Sequence, residues 1–304
     1  MMRPLVSIVI PTHNRAHLVT RAIDSALAQT YAPIEVIVVD DGSGDDTGAV
    51  LRCHESDARV RIVRHQRNLG ATAAKNTGLD AVTGAFATIL DSDDSLVPEA
   101  VATLMAAFDR QGPETGMVFA NCVDVATGAW TGSGLHASGP VTFEDALRER
   151  FRGEFWGLWR ASALGERRFD VRLAGGESLV WHDMYRTTRV WYEHVALRRY
   201  DRRSPDSVSR RQLEPTEAQR TSLIYERYIE RFGEDLKRIA PHVLARNLQA
   251  LAVWRILAGE RRNGLRSLGA SVRHAAGARQ LALAAAIAVT PRSLLRRAMM
   301  KRRG

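Results

Sequence analysis

Three carboxylates, Asp91, Asp93 and Asp94, fall within four residues, directly behind the apolar run Phe86 to Leu90. A buried strand that breaks off into an acidic cluster offers hard oxygen ligands. Ions such as Mg2+ or Mn2+ are held in this way by one or two protein carboxylates, while substrate phosphates and waters complete the shell. The chemistry this spacing suits is the handling of a nucleotide diphosphate. The same residues also read as a solvated turn ahead of a helix, because Ser95 and Pro98 are ordinary helix-starting residues.

The surrounding elements decide between these readings. Val6 to Ile10 reads as a buried strand ending in Pro11-Thr12-His13-Asn14-Arg15. A helix is expected behind it, with Asn14 as N-cap and Leu18, Ala22, Ile23, Ala26 and Leu27 on one face. Ile34 to Val39 is a second strand, ending in Asp40-Asp41-Gly42-Ser43, and a short helix follows from about Asp46 to Arg52. Val60 to Val63 is a third strand, and Asn68-Leu69-Gly70 turns the chain into a helix carrying Lys75 and Asn76. Strands alternating with helices on short connections imply a doubly wound, mostly parallel α/β sheet with flanking helices. In such a sheet the residues just past the strand C-termini gather on one edge, where ligands bind. Pro11 to Arg15, Asp40-Asp41 and Asp91 to Asp94 are all strand-end residues, so three polar clusters converge on one crevice and the acidic cluster reads as a site before it reads as a turn. Dinucleotide and P-loop binding are excluded, since neither G-x-G-x-x-G nor G-x-x-x-x-G-K-[ST] occurs. A calcium loop is excluded as well, because its twelfth position, counted from Asp40 or Asp91, falls on Leu51 or Ala102.

The 304 residues suit one large or two modest domains, and 45% hydrophobic content supplies a sizeable core. Cys53 and Cys122 form neither a disulfide framework nor a C-x-x-C pair, which points to a reducing, cytoplasmic compartment. The N-terminal apolar run is too short for a signal peptide, and Leu281 to Val289 is far short of a membrane span. The net charge of +9 is uneven: residues 210–304 hold 20 Lys and Arg against 7 Asp and Glu, leaving residues 1–209 net acidic.

The stretches V-S-I-V-I-P-T-H-N-R, E-V-I-V-V-D-D-G-S, N-L-G-A-T-A-A-K-N-T-G-L and I-L-D-S-D-D closely resemble the family 2 glycosyltransferases, in that family's order and spacing. The resemblance implies a GT-A fold and an inverting, metal-dependent transfer from a nucleotide-sugar donor, with a UDP-sugar as the expected donor. It implies that Pro11, Thr12, Asn14 and Arg15 line the nucleotide pocket and that Asp41 accepts a hydrogen bond from the pyrimidine. Lys75 would lie near the base or diphosphate. Asp91 would contact the ribose, with Ser92 beside it on the nucleotide-sugar, and Asp93 would hold Mn2+ or Mg2+, with Asp94 the alternative ligand. Read without the resemblance, Asp41 is a turn residue ahead of Gly42 and Lys75 a solvated lysine on a helix face.

The resemblance covers residues 4–209 and weakens beyond Asp94. Residues 1–209 are expected to form the catalytic domain, with 1–97 the nucleotide-sugar half and 98–209 the acceptor half. Pro98 to Arg110 reads as a helix, Gly116 to Asn121 as a strand, and Thr142 with Asp145 as a capping box. Phe155 to Arg160 and Phe169-Asp170 resemble the acceptor-side strand and the approach to the family's catalytic acid, which makes Glu177 the expected general base. Asp183 and His182 are the fallbacks, because Ser178 stands where the family often has Asp. Without that second acid, a non-catalytic nucleotide-sugar-binding or scaffold relative is the alternative. Trp156 and Trp159 are candidates to stack on an acceptor, a glycan or a lipid-linked one, against the plainer reading that they pack in the core. His194 to Tyr200 reads as a late strand, and Arg202 to Ser207 resembles a loop that closes over the diphosphate.

Residues 210–304 read as a helical basic extension. Leu244, Leu248, Leu251 and Trp254 form one apolar stripe, Leu265, Leu268 and Val272 another, and Leu294, Leu295, Ala298 and Met299 a third. Residues 261–304 contain eleven basic side chains and no acidic one, which suits an anionic membrane surface and peripheral attachment at the inner face of the membrane. Packing on the catalytic domain, or on a second copy in a homo-oligomer, is the alternative. Nucleic acid is disfavoured by the scarcity of interleaved aromatics. Together these readings describe a transferase of bacterial-type cell-surface polysaccharide or glycoconjugate assembly.

Overall fold

The computed structural model describes residues 3–201, 215–274 and 277–303. The segment Arg202 to Ser207, expected to close over the diphosphate, lies outside them. The described residues up to 201, apart from 147–149, form one compact unit; 147–149 and those from 215 onward form a second.

The first unit opens with β1 (Val6–Thr12), α1 (Val19–Leu27), β2 (Ile34–Asp40), α2 (Thr47–Arg52), β3 (Val60–Arg64), α3 (Ala71–Asp80) and β4 (Phe86–Ile89). It continues through β5 (Ser95–Leu96), α4 (Ala100–Gln111), β6 (Thr115–Asp124), β7 (Gly139–Val141), α5 (Phe143–Leu147), β8 (Phe155–Arg160), α6 (Ala161–Leu164), α7 (Ser178–Thr187) and β9 (Arg189–Tyr200). One sheet runs β3-β2-β1-β4-β8-β6-β9-β5, with β7 also paired to β9. Strands β1, β2, β3, β4, β6 and β9 share one direction, and β8, β5 and β7 run against them. β1 and β2 are buried along nearly their whole length, as expected of parallel strands covered on both faces. The shared direction delivers Thr12, Asp40, Ile89 and Tyr200 to one edge.

Asn14 departs from the expected N-cap. Its φ is +51°, in the left-handed region that Asn tolerates better than most residues, and α1 starts only at Val19. Its N–H donates to Ser43 Oγ at 2.9 Å and its Oδ1 accepts from Gly44 N–H at 2.8 Å. The side chain is spent on joining the loop after β1 to the loop after β2, so it cannot cap a helix. The Thr142–Asp145 box is formed: Asp145 N–H donates to Thr142 Oγ1, and Thr142 N–H donates back to the Asp145 carboxylate.

The second unit is helical: α8 (Pro215–Ile239), α9 (Pro241–Leu257), α10 (Arg261–Val272), α11 (Ala278–Val289) and α12 (Arg292–Arg303). Leu244, Leu248, Leu251 and Trp254 are buried, as are Val243, Ala252 and Ile256 on other faces, so α9 is the helix around which the unit is built. The stripe expected on α10 is not its packing face. Gly264, Ser267, Leu268 and Ser271 face inward, and a Cβ on Gly264 would come within 2.7 Å of Ile256 Cγ1. A small-residue seam brings α10 close to α9 and turns Leu265 and Val272 outward. Of the third stripe, Leu295 is buried and Leu294 is half exposed. No helix among the described residues is long and apolar enough to cross a membrane.

Candidate active site

The acidic cluster sits where β4 ends, and each of its carboxylates meets a cation. Asp91 is reached by Lys75 Nζ at 3.7 Å and by Arg198 Nη1 at 3.7 Å. Arg15 Nη1 donates to Asp93 Oδ2 at 3.1 Å, and Arg21 donates to the Asp93 carbonyl. Asp94 is fully buried, accepts from Asp201 N–H at 3.1 Å and faces Arg198 Nη1 at 3.4 Å. Burial pushes the Asp94 carboxyl up to about 7 against the pull of Arg198. The Lys75 ammonium, then Arg198, holds Asp91 below the usual carboxylate range. Ser92 is buried.

Lys75 is not the solvated lysine of a helix face. It projects from α3 between Asp91 and Glu177, with Glu177 Oε1 at 3.2 Å. Burial alone would lower its ammonium, but these two carboxylates outweigh burial and hold it up. Glu177 stands at the start of α7 with a quarter of its side chain exposed. The seat of α3 is secured by Asn76, whose amide donates to the Phe169 carbonyl at 2.8 Å and accepts from its N–H at 2.9 Å.

These groups open onto a cavity of about 510 Å3, lined on its polar side by Lys75, Asp91, Glu154, Glu177, Ser178 and Arg198. Its other wall is aromatic, built from Phe119, Phe155, Trp156, Trp159, Trp181 and Tyr185. Trp156 and Trp159 are each only 3% exposed. Trp156 Nε1 donates to the Ile89 carbonyl at 3.2 Å, and Trp159 packs its ring 5.0 Å from that of Trp181. They form the cavity wall more than a platform. His182 lines the cavity, with Nδ1 donating to the Ser178 carbonyl at 2.8 Å, whereas Asp183 is buried and is not part of the lining.

Asp41 is buried and heavily engaged. It accepts from His65 Nδ1 at 2.7 Å, from Leu69 N–H at 2.8 Å and from Gly70 N–H at 2.7 Å. Of the roughly four acceptor positions of a carboxylate, about one is left for a ligand. Its main structural work is to fix the loop leading into α3. Pro11 is buried in β1, and Arg15 N–H is tied to Thr47 Oγ1 at 2.9 Å. At the end of β1, Thr12 Oγ1 and His13 Nδ1 are buried with no hydrogen-bond partner, and so is Trp159 Nε1 in the cavity wall. Leaving such groups unsatisfied is costly, and a ligand that hydrogen-bonds to them recovers that cost.

Arg198, Glu154 and His65 were not foreseen from the sequence. Arg198 is the hub of the cluster: its Nε donates to Cys122 Sγ at 3.2 Å, its Nη2 meets Glu154 Oε2 at 3.3 Å, and its guanidinium lies 5.2 Å from the Tyr200 ring centroid. Burial would lower its guanidinium, but the surrounding Cys122, Asp94, Asp91 and Glu154 outweigh this and raise it. The missed signal was positional, since the last residues of a strand parallel to β4 must reach the same edge.

The chain matches the Glycosyl transferase family 2 profile over residues 7–163. It belongs to glycosyltransferase family 2. A Campylobacter jejuni relative, GalNAc(5)-diNAcBac-PP-undecaprenol beta-1,3-glucosyltransferase, is 34% identical over 68% of this chain and 67% of its own length. The succinoglycan biosynthesis protein ExoO of Rhizobium meliloti is 39% identical over 36% of the chain, which spans only 32% of that relative. Among solved structures, S. aureus TarS 1-349 in complex with UDP-GlcNAc superposes with a TM-score of 0.69 at 17% identity, over 97% of this chain and 91% of that one. A mannosyltransferase from Pyrobaculum calidifontis, solved with GDP-Man and Mn2+, superposes with a TM-score of 0.56 at 21% identity, over 99% and 84%. At these identities the likeness is one of fold, and the fold of this family 2 glycosyltransferase is GT-A.

Proposed function

We propose that this glycosyltransferase transfers a sugar, with inversion, from a UDP-sugar to a hydroxyl of a glycan or lipid-linked acceptor in cell-surface polysaccharide or glycoconjugate assembly. The observation that carries the reading is the cavity itself, where Lys75, Asp91, Glu177 and Arg198 meet beside an aromatic wall. The Campylobacter relative, a glucosyltransferase of GalNAc(5)-diNAcBac-PP-undecaprenol, and the UDP-GlcNAc bound to TarS support the acceptor and donor classes.

Asp93 fits a hard divalent ion in donor type, and its side chain is 21% exposed. No group of three His, Cys, Asp or Glu suited to a metal is present among the described residues. An ion held by one or two carboxylates would have diphosphate oxygens and waters completing its shell. When bound, Mn2+ or Mg2+ offsets the charge that builds on the departing nucleotide diphosphate. The chain's own residues do the rest. Thr12, Asn14 and Arg15 with Asp41 frame the nucleotide, and Asp91 and Ser92 face the ribose. Lys75 and Arg198 supply fixed positive charge beside the diphosphate. Glu177 takes the proton from the acceptor hydroxyl as that oxygen attacks the anomeric carbon opposite the leaving group, so no covalent intermediate on the protein is needed.

Transfer or slow hydrolysis of a UDP-sugar, followed as released UDP, is expected with Mn2+ or Mg2+ and is expected to fall at least a hundredfold in Asp93→Ala. Turnover by Asp93→Ala in excess chelator at the wild-type rate would sink the metal assignment. One observation favours a non-catalytic nucleotide-sugar binder: Glu177 is ion-paired with Lys75, and Ser178 offers no second acid. UDP binding without turnover on any acceptor would favour that reading. We further propose that residues 261–304 hold the enzyme on an anionic inner membrane face, a reading supported by the outward apolar side chains of α10 to α12.

A further inference from the structure

Of the six tryptophans, five are buried or half-buried and Trp130 alone is exposed, at 43%. Water contact over so large an apolar ring has no benefit for folding, so the question is what could lie against it. The indole is not on a loose tip. Trp130 bridges Val123 of β6, and the hydrogen bonds Asp124 N–H to the Ala129 carbonyl (2.9 Å) and Thr131 N–H to the Cys122 carbonyl (3.0 Å) fix it on both sides. On the far side the same segment is tied to the cavity rim. Ser133 exchanges two backbone hydrogen bonds with Arg152, at 2.8 and 3.1 Å, and Thr131 Oγ1 donates to the carbonyl of Glu154 at 2.8 Å.

The direction of the ring follows from its contacts. Gly132 backs onto Phe155, where a Cβ would strike the ring at 2.4 Å, and Phe155 lines the cavity. Ring contacts then run without a break from the cavity wall to the surface. Phe119 and Phe155 lie 5.3 and 6.0 Å from Tyr192, Tyr192 lies 5.8 Å from His194, and His194 lies 4.7 Å from Trp130. The Tyr192 hydroxyl and His194 Nδ1 are 3.2 Å apart, which orients the imidazole under the indole.

We infer that Trp130, backed by His194, is a saccharide-stacking subsite outside the reaction cavity, engaging a sugar residue of the acceptor beyond the one that is glycosylated. This rests on the reading of the cavity as a glycosyl-transfer site. A sugar ring presents C–H groups on one face and hydroxyls at its rim. A large exposed indole of fixed orientation meets the first, and the flanking polar backbone and imidazole meet the second. Thr131 and Ser133 tie the indole's segment to Glu154 and Arg152, and Glu154 lines the cavity, so an acceptor that extends past the rim can reach Trp130. The consequence is length discrimination: acceptors that reach Trp130 are held by it, and shorter ones are not.

The test uses the full-length protein, with Trp130→Ala and Trp130→Phe, on an array of bacterial polysaccharide fragments from mono- to hexasaccharides. UDP-sugar hydrolysis is measured in parallel. Binding of the longer fragments is expected to weaken about tenfold in Trp130→Ala and to be largely retained in Trp130→Phe, while donor hydrolysis and melting temperature stay at wild-type values. Equal binding by wild type and Trp130→Ala, or no wild-type binding to any fragment, overturns the subsite. The donor arm keeps the two readings apart. Absent hydrolysis with Trp130-dependent fragment binding would remove the transferase reading and leave a glycan-binding surface, whereas normal hydrolysis with Trp130-independent binding would remove the subsite alone.

Discussion

Among single residues, Arg198 carries the most electrostatic weight. It is the buried cation facing the buried Asp94, and Asp91 and Glu154 share it from positions about half exposed. Desolvating such a group costs several kcal/mol, which only its carboxylate partners offset, so truncation leaves Asp94 buried and uncompensated. Arg198→Met is expected to cost about 3–5 kcal/mol in denaturant unfolding. Arg198→Met combined with Asp94→Leu is expected to regain a large part of that, because the stranded charge is gone. A double variant as unstable as the single one would show that Arg198 acts through packing instead of charge. The acidic side of this cluster was legible in the sequence because three Asp in four residues after an apolar run is a local pattern. Its basic side was not, because Arg198 arrives from more than a hundred residues away, through the pairing of Leu96 with Arg198 between β5 and β9. Asp41 was legible as a strand-end residue. Its engagement by His65, Leu69 and Gly70 depends on how one loop folds back, which composition does not encode.

At the scale of elements, the N-terminal half followed its pattern closely, since apolar runs with short connections leave the β1, β2, β3 and β4 order few alternatives. The antiparallel insertion of β8 between β4 and β6 had no local signature, because it is decided by which edge is free once the parallel half has formed. Helix α3 is the element on which the site turns, as it carries Lys75 and Asn76. It sits directly on the sheet at Gly78, where a Cβ would lie 2.1 Å from Val9 Cγ1. Gly78→Ala gains at most about 1 kcal/mol of helix propensity and costs about 1–3 kcal/mol of overpacking, so a net loss of stability is expected. Because the helix must move outward, Lys75 leaves its place between Asp91 and Glu177, and UDP affinity is expected to fall with it. A Gly78→Ala protein with a wild-type melting temperature and UDP affinity would refute this account. The opposite edge of the same strands is held by Glu35, which accepts from Ser7 Oγ, Thr83 N–H and Thr83 Oγ1. Burial would raise its carboxyl, but these hydrogen bonds outweigh burial and hold it low. A lowered folded value means that the stabilisation is present above about pH 4.5, the unfolded value, and is lost as pH falls through the folded one. The melting-temperature advantage of wild type over Glu35→Gln should therefore hold from neutral pH down to about 4.5 and shrink below it. An advantage independent of pH would assign the effect to packing.

For the molecule as a whole, the proposed membrane attachment turns on the basic helical unit. Not all of its arginines are available to a partner. Arg261 Nη2 donates to the Ala288 carbonyl at 2.8 Å, and Arg292 Nη2 to the Leu257 carbonyl at 2.6 Å, so both close the C-terminal turns of neighbouring helices. Arg262, Arg266, Arg273, Arg279, Arg296 and Arg297 are exposed, and so are Leu265, Val272, Leu281, Leu283, Val289 and Leu294. Each basic side chain near an anionic leaflet contributes about 1 kcal/mol, and a leucine fully withdrawn from water about 1.5–3 kcal/mol. Half-exposed leucines recover only part of that, so under the membrane proposal charge governs attachment and salt weakens it. Co-sedimentation with vesicles containing about a third phosphatidylglycerol is expected at low salt, with little binding to neutral phosphatidylcholine. Arg262→Gln with Arg266→Gln and Arg273→Gln should reduce it by at least tenfold, and Leu281→Ser with Leu283→Ser by a smaller factor that salt does not change. UDP-sugar hydrolysis, for which every proposed residue lies in the other unit, should be untouched by either set. Equal binding to neutral and anionic vesicles, or none to either, would turn the apolar side chains of α10 to α12 toward a second copy of the chain. Sedimentation velocity would then have to show a dimer that the leucine substitutions dissociate.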